Sequence, residues 1–264
     1  MEAQDINLNE LVSIITPLFN SEKHLEETIQ SVQKQTHTNW EWNIVDDCST
    51  DGSIKLIERF AEKDNRIHVW KNSKNSGAAF SRNVALEKSK GRFIAYIDSD
   101  DLWDPDKLSR QLQFMQINRL GFTCASYRVI SEDGTDLKKV IRMRKQSNYK
   151  DFLMNNLLQT VGIMVDLKFV PKAVCVMPDI RRRQDAATWL QILKSGNDCF
   201  GMQAPLASYR RTAGSLSSNK FKAISGVWNL YRNIESLSLP FSIYCFARYA
   251  MLAVWKRMYP EKNS

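Results

Sequence analysis

The strongest constraint on the fold is a regular alternation between two hydrophobic periods over the first 130 residues. Short apolar runs, typical of buried strands, are each followed by a segment whose apolar residues recur every three or four positions, as on one face of a helix. The pattern predicts strands at 11–19, 40–47, 67–72, 93–98 and 122–130, and helices at 21–35, 49–64, 76–91 and 104–118. This alternation predicts a layered α/β domain with a mainly parallel central sheet.

The pattern is less regular after residue 131. Turn-forming residues at 131–136 predict a hairpin, and the basic segment that follows reads as irregular. Further strands are predicted at 161–170 and 199–210, with a short helix at 185–194 between them. Because neither an internal repeat nor a low-complexity linker divides the chain, we expect one α/β domain over residues 1–218 and a helical, aromatic-rich extension over 219–264.

The net charge of +8 is distributed unevenly along the chain. Residues 207–264 contain nine Lys and Arg against two Glu, a balance of +7, so the rest of the chain is nearly neutral. A basic protein can bind nucleic acid, an anionic membrane or an anionic substrate. Because the excess charge is confined to the C-terminal quarter and no nucleic-acid-binding motif is present, we do not expect a nucleic-acid partner.

The five cysteines are odd in number, widely spaced and without a CxxC pair or a Cys/His cluster. This distribution disfavours a disulfide framework and a zinc site, and it favours a reducing compartment. The first ten residues are polar and acidic, which is not typical of a secretory signal, and no uninterrupted apolar run is long enough for a clear spanning helix. We therefore expect a cytoplasmic location.

Polar residues cluster where each of the first four predicted strands ends. Asn20 follows the first strand, Asp46 and Asp47 end the second, Asn75 follows the third, and Asp98 to Asp101 end the fourth. In open α/β sheets ligands bind outside the carboxyl ends of the strands. The sequence therefore predicts one binding crevice at this edge of the sheet.

The IDSDD segment places Asp98, Asp100 and Asp101 within four positions. On an extended backbone residues i and i+2 face the same side, so Asp98 and Asp100 are expected to project together into the crevice. Two hard oxygen ligands on an open site suit Mg²⁺ or Mn²⁺, with water and phosphate oxygens completing the shell. Asp101 is expected to support the loop rather than to bind the ion.

Two further clusters have both a structural and a functional interpretation. Asp46 and Asp47 could accept hydrogen bonds from a nucleobase or ribose, or could order their own turn. Asn75 and Gly77 precede a helix N-terminus whose amides could approach an anion, and Arg82 could either reach a diphosphate or remain solvated. The sequence has neither GxGxxG after the first strand nor GxxxxGK[ST], which disfavours a classical dinucleotide fold and a P-loop NTPase.

Four ordered segments, TPLFNSEKHL, VDDCSTDGS, NSGAAFSRN and YIDSDDLWDPDKL, resemble the family 2 glycosyltransferases of GT-A fold. The resemblance covers about residues 11–130 and extends less closely to 180–217. It is similar in particular to bacterial enzymes that assemble cell-envelope polysaccharides such as teichuronic acid or lipopolysaccharide. The resemblance implies a Rossmann-like GT-A domain and an inverting, metal-dependent transferase that uses a nucleotide-sugar donor, most simply a UDP-sugar.

By resemblance, the donor nucleotide lies along a set of residues from these motifs: Pro17, Phe19, Asn20, Glu22, Asp46, Asp47, Asn75, Gly77, Arg82 and Asp98. Asp98 and Asp100 form the DxD motif, in which the first contacts ribose or metal and the second binds Mg²⁺ or Mn²⁺. The family's usual Glu-Asp pair is Gln184–Asp185 here, which makes Asp185 the implied catalytic base. An Asp at a helix start is otherwise commonly a cap.

A second departure from the family pattern lies in SYRRTAGSLS, where Thr212 stands in place of a His that often helps to hold the metal or diphosphate. Arg210 and Arg211 are implied as diphosphate ligands, and Ser215 as part of a closing loop. The implied acceptor is a saccharide or a lipid-linked saccharide. A nucleotidyltransferase and a non-catalytic nucleotide-sugar-binding subunit remain as alternatives.

The C-terminal extension combines aromatic residues with Arg and Lys. Two interpretations are equally open at this point. Its helices could pack on the catalytic domain, or they could contact an anionic lipid surface as an interfacial anchor. The second would place the protein on the inner face of the cytoplasmic membrane.

Overall fold

The computed structural model describes residues 7–155, 158–180, 182–212 and 220–258, with side chains described over 224–252 in the last range. The strands in chain order are β1 Val12–Leu18, β2 Trp40–Asp46, β3 Ile67–Lys71, β4 Phe93–Tyr96, β5 Leu102–Trp103, β6 Phe122–Ile130, β7 Asp136–Ile141, β8 Gln146–Ser147, β9 Ile163–Asp166 and β10 Cys199–Arg210. The helices are α1 Glu22–Gln33, α2 Ser53–Ala61, α3 Ala78–Lys88, α4 Lys107–Asn118, α5 Tyr149–Met154, α6 Gln184–Lys194, α7 Lys220–Asn229 and α8 Leu239–Met258.

The described strands form one mixed sheet in the order β3-β2-β1-β4-β9-β6-β10-β5, with β7 added to β6 and β8 to β10. The first four strands are parallel, as the βα alternation predicts, and β10 is parallel to β6. β9 lies antiparallel between β4 and β6 and joins the two parallel parts. The predicted α/β class with a mainly parallel central sheet and C-terminal helices is thus confirmed.

The core lies between the sheet and its helices. β2 is buried along its whole length, and β1 along all but one residue, as expected for strands covered on both faces. Trp189 of α6 is fully buried and packs against Tyr96 of β4 and Phe122 of β6, with ring centroids 5.3 and 5.8 Å away. Helix α6 is thereby fixed over the centre of the sheet, which positions its first turn beside the end of β4.

Several elements differ from the sequence prediction. Helix α4 begins at Lys107 rather than at Asp104, because the Asp104 amide donates to Leu206 O and its carboxylate pairs with Arg128. The strand predicted at 161–170 is limited to β9. The segment after the 131–136 turn, which reads as irregular, forms β7 and β8, which pair along the edges of β6 and β10, and then α5, which begins with a capping box at Asn148.

The C-terminal helices pack on the α/β domain. Tyr231 donates a hydrogen bond to Leu153 O, and the buried carboxylate of Glu235 accepts from Tyr149 Oη and pairs with Lys194 Nζ, each at 2.5 Å. The predicted boundary between 218 and 219 lies outside the described residues, so this domain division stays a prediction. Within the described ranges, each helix is too short or too polar to cross a bilayer.

Candidate active site

The carboxyl ends of β1 and β4 lie side by side because these strands pair in parallel, with Ile15 opposite Tyr96. The chain leaves β4 through Ile97, whose amide donates to Ile15 O, and then turns at Asp98, whose carbonyl accepts from the Asp101 amide. This turn brings the DxD segment to the edge where Asn20 also lies. The predicted convergence of these two strand ends is confirmed.

Asp98 forms an ion pair with Arg82 of α3. The Arg82 Nη2 to Asp98 Oδ1 distance is 2.5 Å, and the Arg82 side chain is almost fully buried. Burial acts to lower the pKa of Arg82, but the charges of Asp98 and Asp185 outweigh it and raise that pKa. Arg82 is therefore a permanent cation beneath the site that is already paired with Asp98, and one Asp98 oxygen remains free of it.

Asp100 has a different environment. No hydrogen bond from another described residue reaches its carboxylate oxygens, and burial together with the charge of Asp98 raises its pKa to about 6. A divalent cation would relieve both costs, because it supplies positive charge to two adjacent carboxylates. The described residues contain no cluster of three or more His, Cys, Asp or Glu side chains that could hold an ion. Asp98 and Asp100 therefore fit an ion whose other ligands come from substrate and water.

Asp101 is fully buried and belongs to the support of the loop, as expected. Its Oδ1 accepts from the Arg210 amide at 2.9 Å, while its Oδ2 has no partner among the described residues. Burial, followed by the charges of Asp100 and Asp98, raises the pKa of Asp101 well above its usual range. Its side chain therefore faces protein rather than the crevice.

Arg210 is a correction to the sequence analysis, which predicts a diphosphate ligand. Its side chain is fully buried and donates to Asp100 O, Glu132 O and Glu27 Oε2 at 2.8, 3.0 and 2.7 Å. An arginine with these internal partners is not available to a diphosphate in solvent. Arg211 is exposed, and its amide donates to Ile130 O, so its predicted role stays open. Ser215 lies outside the described residues.

The carboxylate pair at the end of β2 is buried and used within the protein. Asp47 Oδ1 accepts from Asn72 Nδ2 and the Ser76 amide at 2.7 and 2.8 Å, and Oδ2 accepts from the Gly77 amide at 2.7 Å. Both oxygens of Asp46 accept from the Ser49 amide at 3.2–3.3 Å. These contacts order the turns, as one of the two interpretations expects, and nucleobase recognition stays a prediction.

The start of α3 is shaped by the same carboxylate. Gly77 has a φ of 87° and ψ of 163°, which a residue with a side chain rarely adopts, and its amide points at Asp47 rather than at solvent. Asn75 Nδ2 donates to Asp47 O at 3.1 Å. The Ser76 and Gly77 amides already donate to Asp47, so these two N–H groups are not available to the anion that the sequence predicts near Gly77.

The residues that follow β1 contact the loop between β2 and α2. Asn20 has a left-handed backbone, with φ of 47°, and its Oδ1 accepts from the Thr50 amide at 2.8 Å. Glu22 Oε2 accepts from the Gly52 amide at 2.8 Å, so Glu22 ties α1 to the loop before α2. Pro17 lies within β1, and the Phe19 side chain is 49% exposed. Phe19, Asn20 and Glu22 are all exposed, and Phe19 is the apolar one among them.

Asp185 occupies the first turn of α6, after Arg183 in the left-handed conformation with φ of 63°. It is partly buried, and its charge reaches Arg82. Asp98 forms the direct ion pair with Arg82, and Asp185 acts on Arg82 through its charge alone. The neighbouring Gln184 Oε1 is buried and has no partner within the described part of the chain.

These features describe a layered α/β domain with acidic side chains along one edge of a mainly parallel sheet. The glycosyl transferase family 2 model matches residues 13–169, more than half of the chain. The chain therefore belongs to glycosyl transferase family 2, as the motifs imply.

Curated relatives span nearly the same length. The chain is 44% identical over 252 residues to a protein of Bacillus subtilis (strain 168) named "Putative teichuronic acid biosynthesis glycosyltransferase TuaG", covering 96% of this chain and 99% of TuaG. It is 33% identical over 257 residues to the Escherichia coli UDP-Glc:alpha-D-GlcNAc-diphosphoundecaprenol beta-1,3-glucosyltransferase WfgD, covering 96% and 97%. The predicted similarity to cell-envelope polysaccharide glycosyltransferases is confirmed.

Solved structures confirm the GT-A fold. S. aureus TarS (residues 1–349) in complex with UDP-GlcNAc superposes with a TM-score of 0.69 at 19% identity, covering 90% of this chain and 71% of that one. The mannosyltransferase PcManGT from Pyrobaculum calidifontis, in complex with GDP-Man and Mn²⁺, gives a TM-score of 0.70 at 16% identity, covering 99% and 78%. At these identities the likeness concerns the fold.

Several contacts within the site are not found by reasoning from the sequence. The Arg82–Asp98 pair joins residues of two different motifs, and Thr28, in the middle of α1, donates to both Ser99 O and Asp101 O. Asn83 exchanges two hydrogen bonds of 2.8 Å with the backbone of Met177, which fixes the segment before α6 on α3. A polar residue on the buried face of α1 is the one signal that points to Thr28 in advance.

Proposed function

We propose that this glycosyltransferase moves a sugar from a UDP-sugar to an acceptor hydroxyl with inversion, in the synthesis of a bacterial cell-surface polysaccharide. The observation that supports this most directly is the arrangement at the end of β4, where the Asp100 carboxylate accepts from no other described residue, Asp98 pairs with Arg82, and the charge of Asp185 also acts on Arg82. A carboxylate pair that would hold a cation beside the departing diphosphate, and a separate carboxylate for the acceptor hydroxyl, are the two halves of an inverting transfer.

We infer that Asp185 accepts the proton of the acceptor hydroxyl as its oxygen attacks the anomeric carbon, while the nucleoside diphosphate leaves toward Asp98 and Asp100. Asp185 is partly buried at a helix start, so its carboxylate can meet a hydroxyl in the crevice. Arg82 balances the carboxylates and keeps Asp98 in place.

Asp98 and Asp100 would hold Mg²⁺ or Mn²⁺ by one or two carboxylate oxygens. When bound, such an ion supplies Lewis-acid neutralisation of the leaving diphosphate. A structural neighbour contains GDP-Man and Mn²⁺, which supports a divalent ion in this fold. We favour UDP over GDP as the nucleotide of the donor. The E. coli relative whose name includes UDP-Glc is 33% identical to this chain, whereas the protein in complex with GDP-Man is 16% identical.

The nucleotide would lie between the loop after β1 and the end of β2, across the predicted contacts Pro17, Phe19, Asn20 and Asp46. The exposed ring of Phe19 offers a surface on which a base can stack. A nucleotidyltransferase would instead require a Gly- and Lys-rich loop after β1, where this chain has TPLFNSEKH. A non-catalytic binding subunit would bind UDP without turnover.

The test measures UDP release from a panel of UDP-sugars and GDP-mannose, with a saccharide diphosphate-lipid acceptor, in EDTA and with Mg²⁺ or Mn²⁺. We expect metal-dependent release with one UDP-sugar, and a loss of at least 100-fold in kcat for Asp100→Asn and for Asp185→Asn. Asp106→Asn, an exposed carboxylate paired with Arg110, serves as the matched control. Tight UDP binding without turnover under every condition would contradict the enzyme assignment, and full activity of Asp185→Asn would contradict the base alone.

We also propose that the C-terminal extension contacts anionic lipid from the inner face of the cytoplasmic membrane, where a lipid-linked acceptor is presented. Helix α8 buries Ser242 and Cys245 against the protein, while its opposite face exposes four large apolar side chains. These are Leu239, Ile243, Tyr244 and Met251, each about half exposed. An apolar stripe on a basic segment is typical of interfacial helices, and the +7 balance of residues 207–264 complements anionic headgroups.

Vesicle co-sedimentation checks this contact. We expect binding to phosphatidylglycerol-containing vesicles, weaker binding to phosphatidylcholine alone, and a loss of at least five-fold for the double variant Ile243→Asp, Met251→Asp. Ile117→Asp, a similarly exposed apolar residue on α4, is the matched control. Equal binding by both variants, or a dimer in light scattering that the double variant abolishes, would contradict a lipid-facing surface.

A further inference from the structure

We propose that Arg210 and Thr28 are positioning residues that hold the DxD loop so that Asp98 and Asp100 present their carboxylates to a divalent cation. This inference rests on the proposed function and assigns a role to two residues that do not face the substrate. It also replaces the diphosphate contact predicted for Arg210. The loop in question, here called the DxD loop, comprises residues 98–101.

Every backbone carbonyl of the DxD loop has a donor. The Asp98 carbonyl accepts from the Asp101 amide, closing the turn, and Asp100 O accepts from Arg210 Nε at 2.8 Å. Thr28 Oγ1 lies 3.1 Å from Ser99 O and 2.9 Å from Asp101 O, so its single proton is shared between the two carbonyls. The loop is therefore held by its backbone from α1 on one side and from β10 on the other.

Contacts with the surrounding protein also fix the direction of two of the four side chains of the loop. Ser99 Oγ shares a hydrogen bond of 2.6 Å with Ser21 Oγ, and Asp101 accepts from the Arg210 amide, so both point toward the protein. Asp98 and Asp100 are the remaining two. Asp98 pairs with Arg82 through one oxygen, and no hydrogen bond from another described residue reaches the Asp100 carboxylate. Holding Ser99 and Asp101 against the protein therefore leaves the free oxygens of Asp98 and Asp100 for a cation.

The guanidinium of Arg210 ties the DxD loop to two other parts of the fold. Its Nε donates to the carbonyl of Asp100 at 2.8 Å, which brings a positive charge next to the loop. Its other contacts, Glu27 Oε2 and Glu132 O, anchor it to α1 and to the β6–β7 turn. Like charges crowded on one loop separate unless the backbone is held, so this anchoring preserves the geometry that an ion requires.

Substitutions of Arg210 can distinguish this positioning role from a general role of Arg210 in packing. The Arg210 amide bond to Asp101 belongs to the backbone and survives any substitution of the side chain. Strand β10 is also held along its length by β6. Arg210→Lys and Arg210→Met should therefore fold, with the DxD loop attached at Asp101 but released at Asp100.

The experiment titrates Mn²⁺ into the full-length protein with UDP and measures free Mn²⁺ by electron paramagnetic resonance, which needs no turnover. We expect Arg210→Met and Thr28→Val each to weaken Mn²⁺ affinity at least ten-fold, and Arg210→Lys to weaken it less because the charge remains. Thermal unfolding of each variant reports its folded fraction. The control is Arg128→Met on β6, the strand next to β10. It removes a partly exposed guanidinium that pairs with Asp104, and it should leave the Mn²⁺ affinity within two-fold.

The outcomes separate this inference from the proposed function. If wild type binds Mn²⁺ with UDP and folded Arg210→Met and Thr28→Val bind it equally well, the positioning role is wrong and the proposed function stands. If wild type binds no Mn²⁺ in the presence of UDP, the metal site and this inference are both wrong. Should Arg210→Met be unfolded, the comparison of Arg210→Lys with Thr28→Val decides in the same way.

Discussion

The carboxylate pairs at the ends of β2 and β4 look alike in the sequence and differ in the folded protein. Asp47 satisfies both of its oxygens with protein donors, from Asn72 and from the amides that precede α3. Asp100 receives no hydrogen bond from another described residue, although burial and Asp98 make its charge costly. Asp47 therefore stabilises the fold, whereas Asp100 has no described donor, as the proposed cation site requires.

The difference arises from what packs behind each turn. At β2 the chain of residues 72–77 passes close to the strand end and directs its N–H groups at the side chain of Asp47. At β4 the neighbouring elements hold the backbone carbonyls instead, through Thr28 and Arg210. A loop held by its carbonyls keeps its carboxylates available, which is the requirement for binding a cation.

The largest expected effect on stability is that of Asp47→Ala. Removing this carboxylate leaves the Ser76 and Gly77 amides and Asn72 without their acceptor, so we expect a loss of about 2–4 kcal/mol in the free energy of unfolding. Urea denaturation measures it. Asp106→Ala, which removes an exposed carboxylate, should change stability by less than about 0.5 kcal/mol. Equal effects of the two would remove the contrast between the strand ends.

A smaller effect, of opposite sign, is expected for Asp100→Asn. Because the folded pKa of Asp100 is raised to about 6, the folded protein holds a proton between pH 4 and 6 that the unfolded chain releases. Stability of the wild type should therefore fall as the pH rises through this interval, and this component should be absent in Asp100→Asn. In EDTA at pH 7.5 we expect the variant to be more stable by about 1–2 kcal/mol.

Thermal unfolding in EDTA from pH 4 to 8 tests this for both proteins. Adding Mn²⁺ with UDP should stabilise the wild type more than Asp100→Asn, because a ligand that binds the folded state raises its stability. A wild type that gains stability between pH 4 and 6 relative to the variant would show that Asp100 is satisfied internally, like Asp47.

The smallest effect is expected for Asp46→Asn. Both Asp46 oxygens contact one amide, that of Ser49, at 3.2–3.3 Å, and an asparagine retains one oxygen for this bond. We expect a loss of about 0.5–1 kcal/mol, measured by urea denaturation. A rise in the KM for the donor at unchanged kcat would support the predicted contact with the nucleobase. A stability loss as large as that of Asp47→Ala would mean that the two aspartates are equivalent.

Much of the fold was predictable because it depends on local periodicity. The boundaries of β1 to β4 and α1 to α3 follow the apolar spacing, and the parallel order follows from the short βα connections. The edge elements β7 and β8 were missed because they are short and polar, and their strand character comes from pairing with β6 and β10. Pairing between segments distant in sequence leaves no periodic signal.

The prediction for the site rests on residue types that limit the chemistry. Asp98 and Asp100 lie on the predicted sheet edge, and the roles predicted for Asp98, Asp100 and Asp185 stay predictions. It was wrong for Arg210, because an arginine adjacent to a motif has the same sequence signature whether it faces solvent or is buried under a loop. The partners that bury it, Glu27 and Glu132, lie 183 and 78 residues away in the chain.

By itself the sequence determined the strand and helix alternation, the edge at which polar residues gather and the family to which the chain belongs. Only the tertiary structure decided which aspartates are used within the protein and which remain for a ligand. The physical reason is that a carboxylate's role depends on the donors within about 3 Å of it. Those donors come from α1, the start of α3 and the end of β10, which meet at the DxD loop and the β2 turn only after folding.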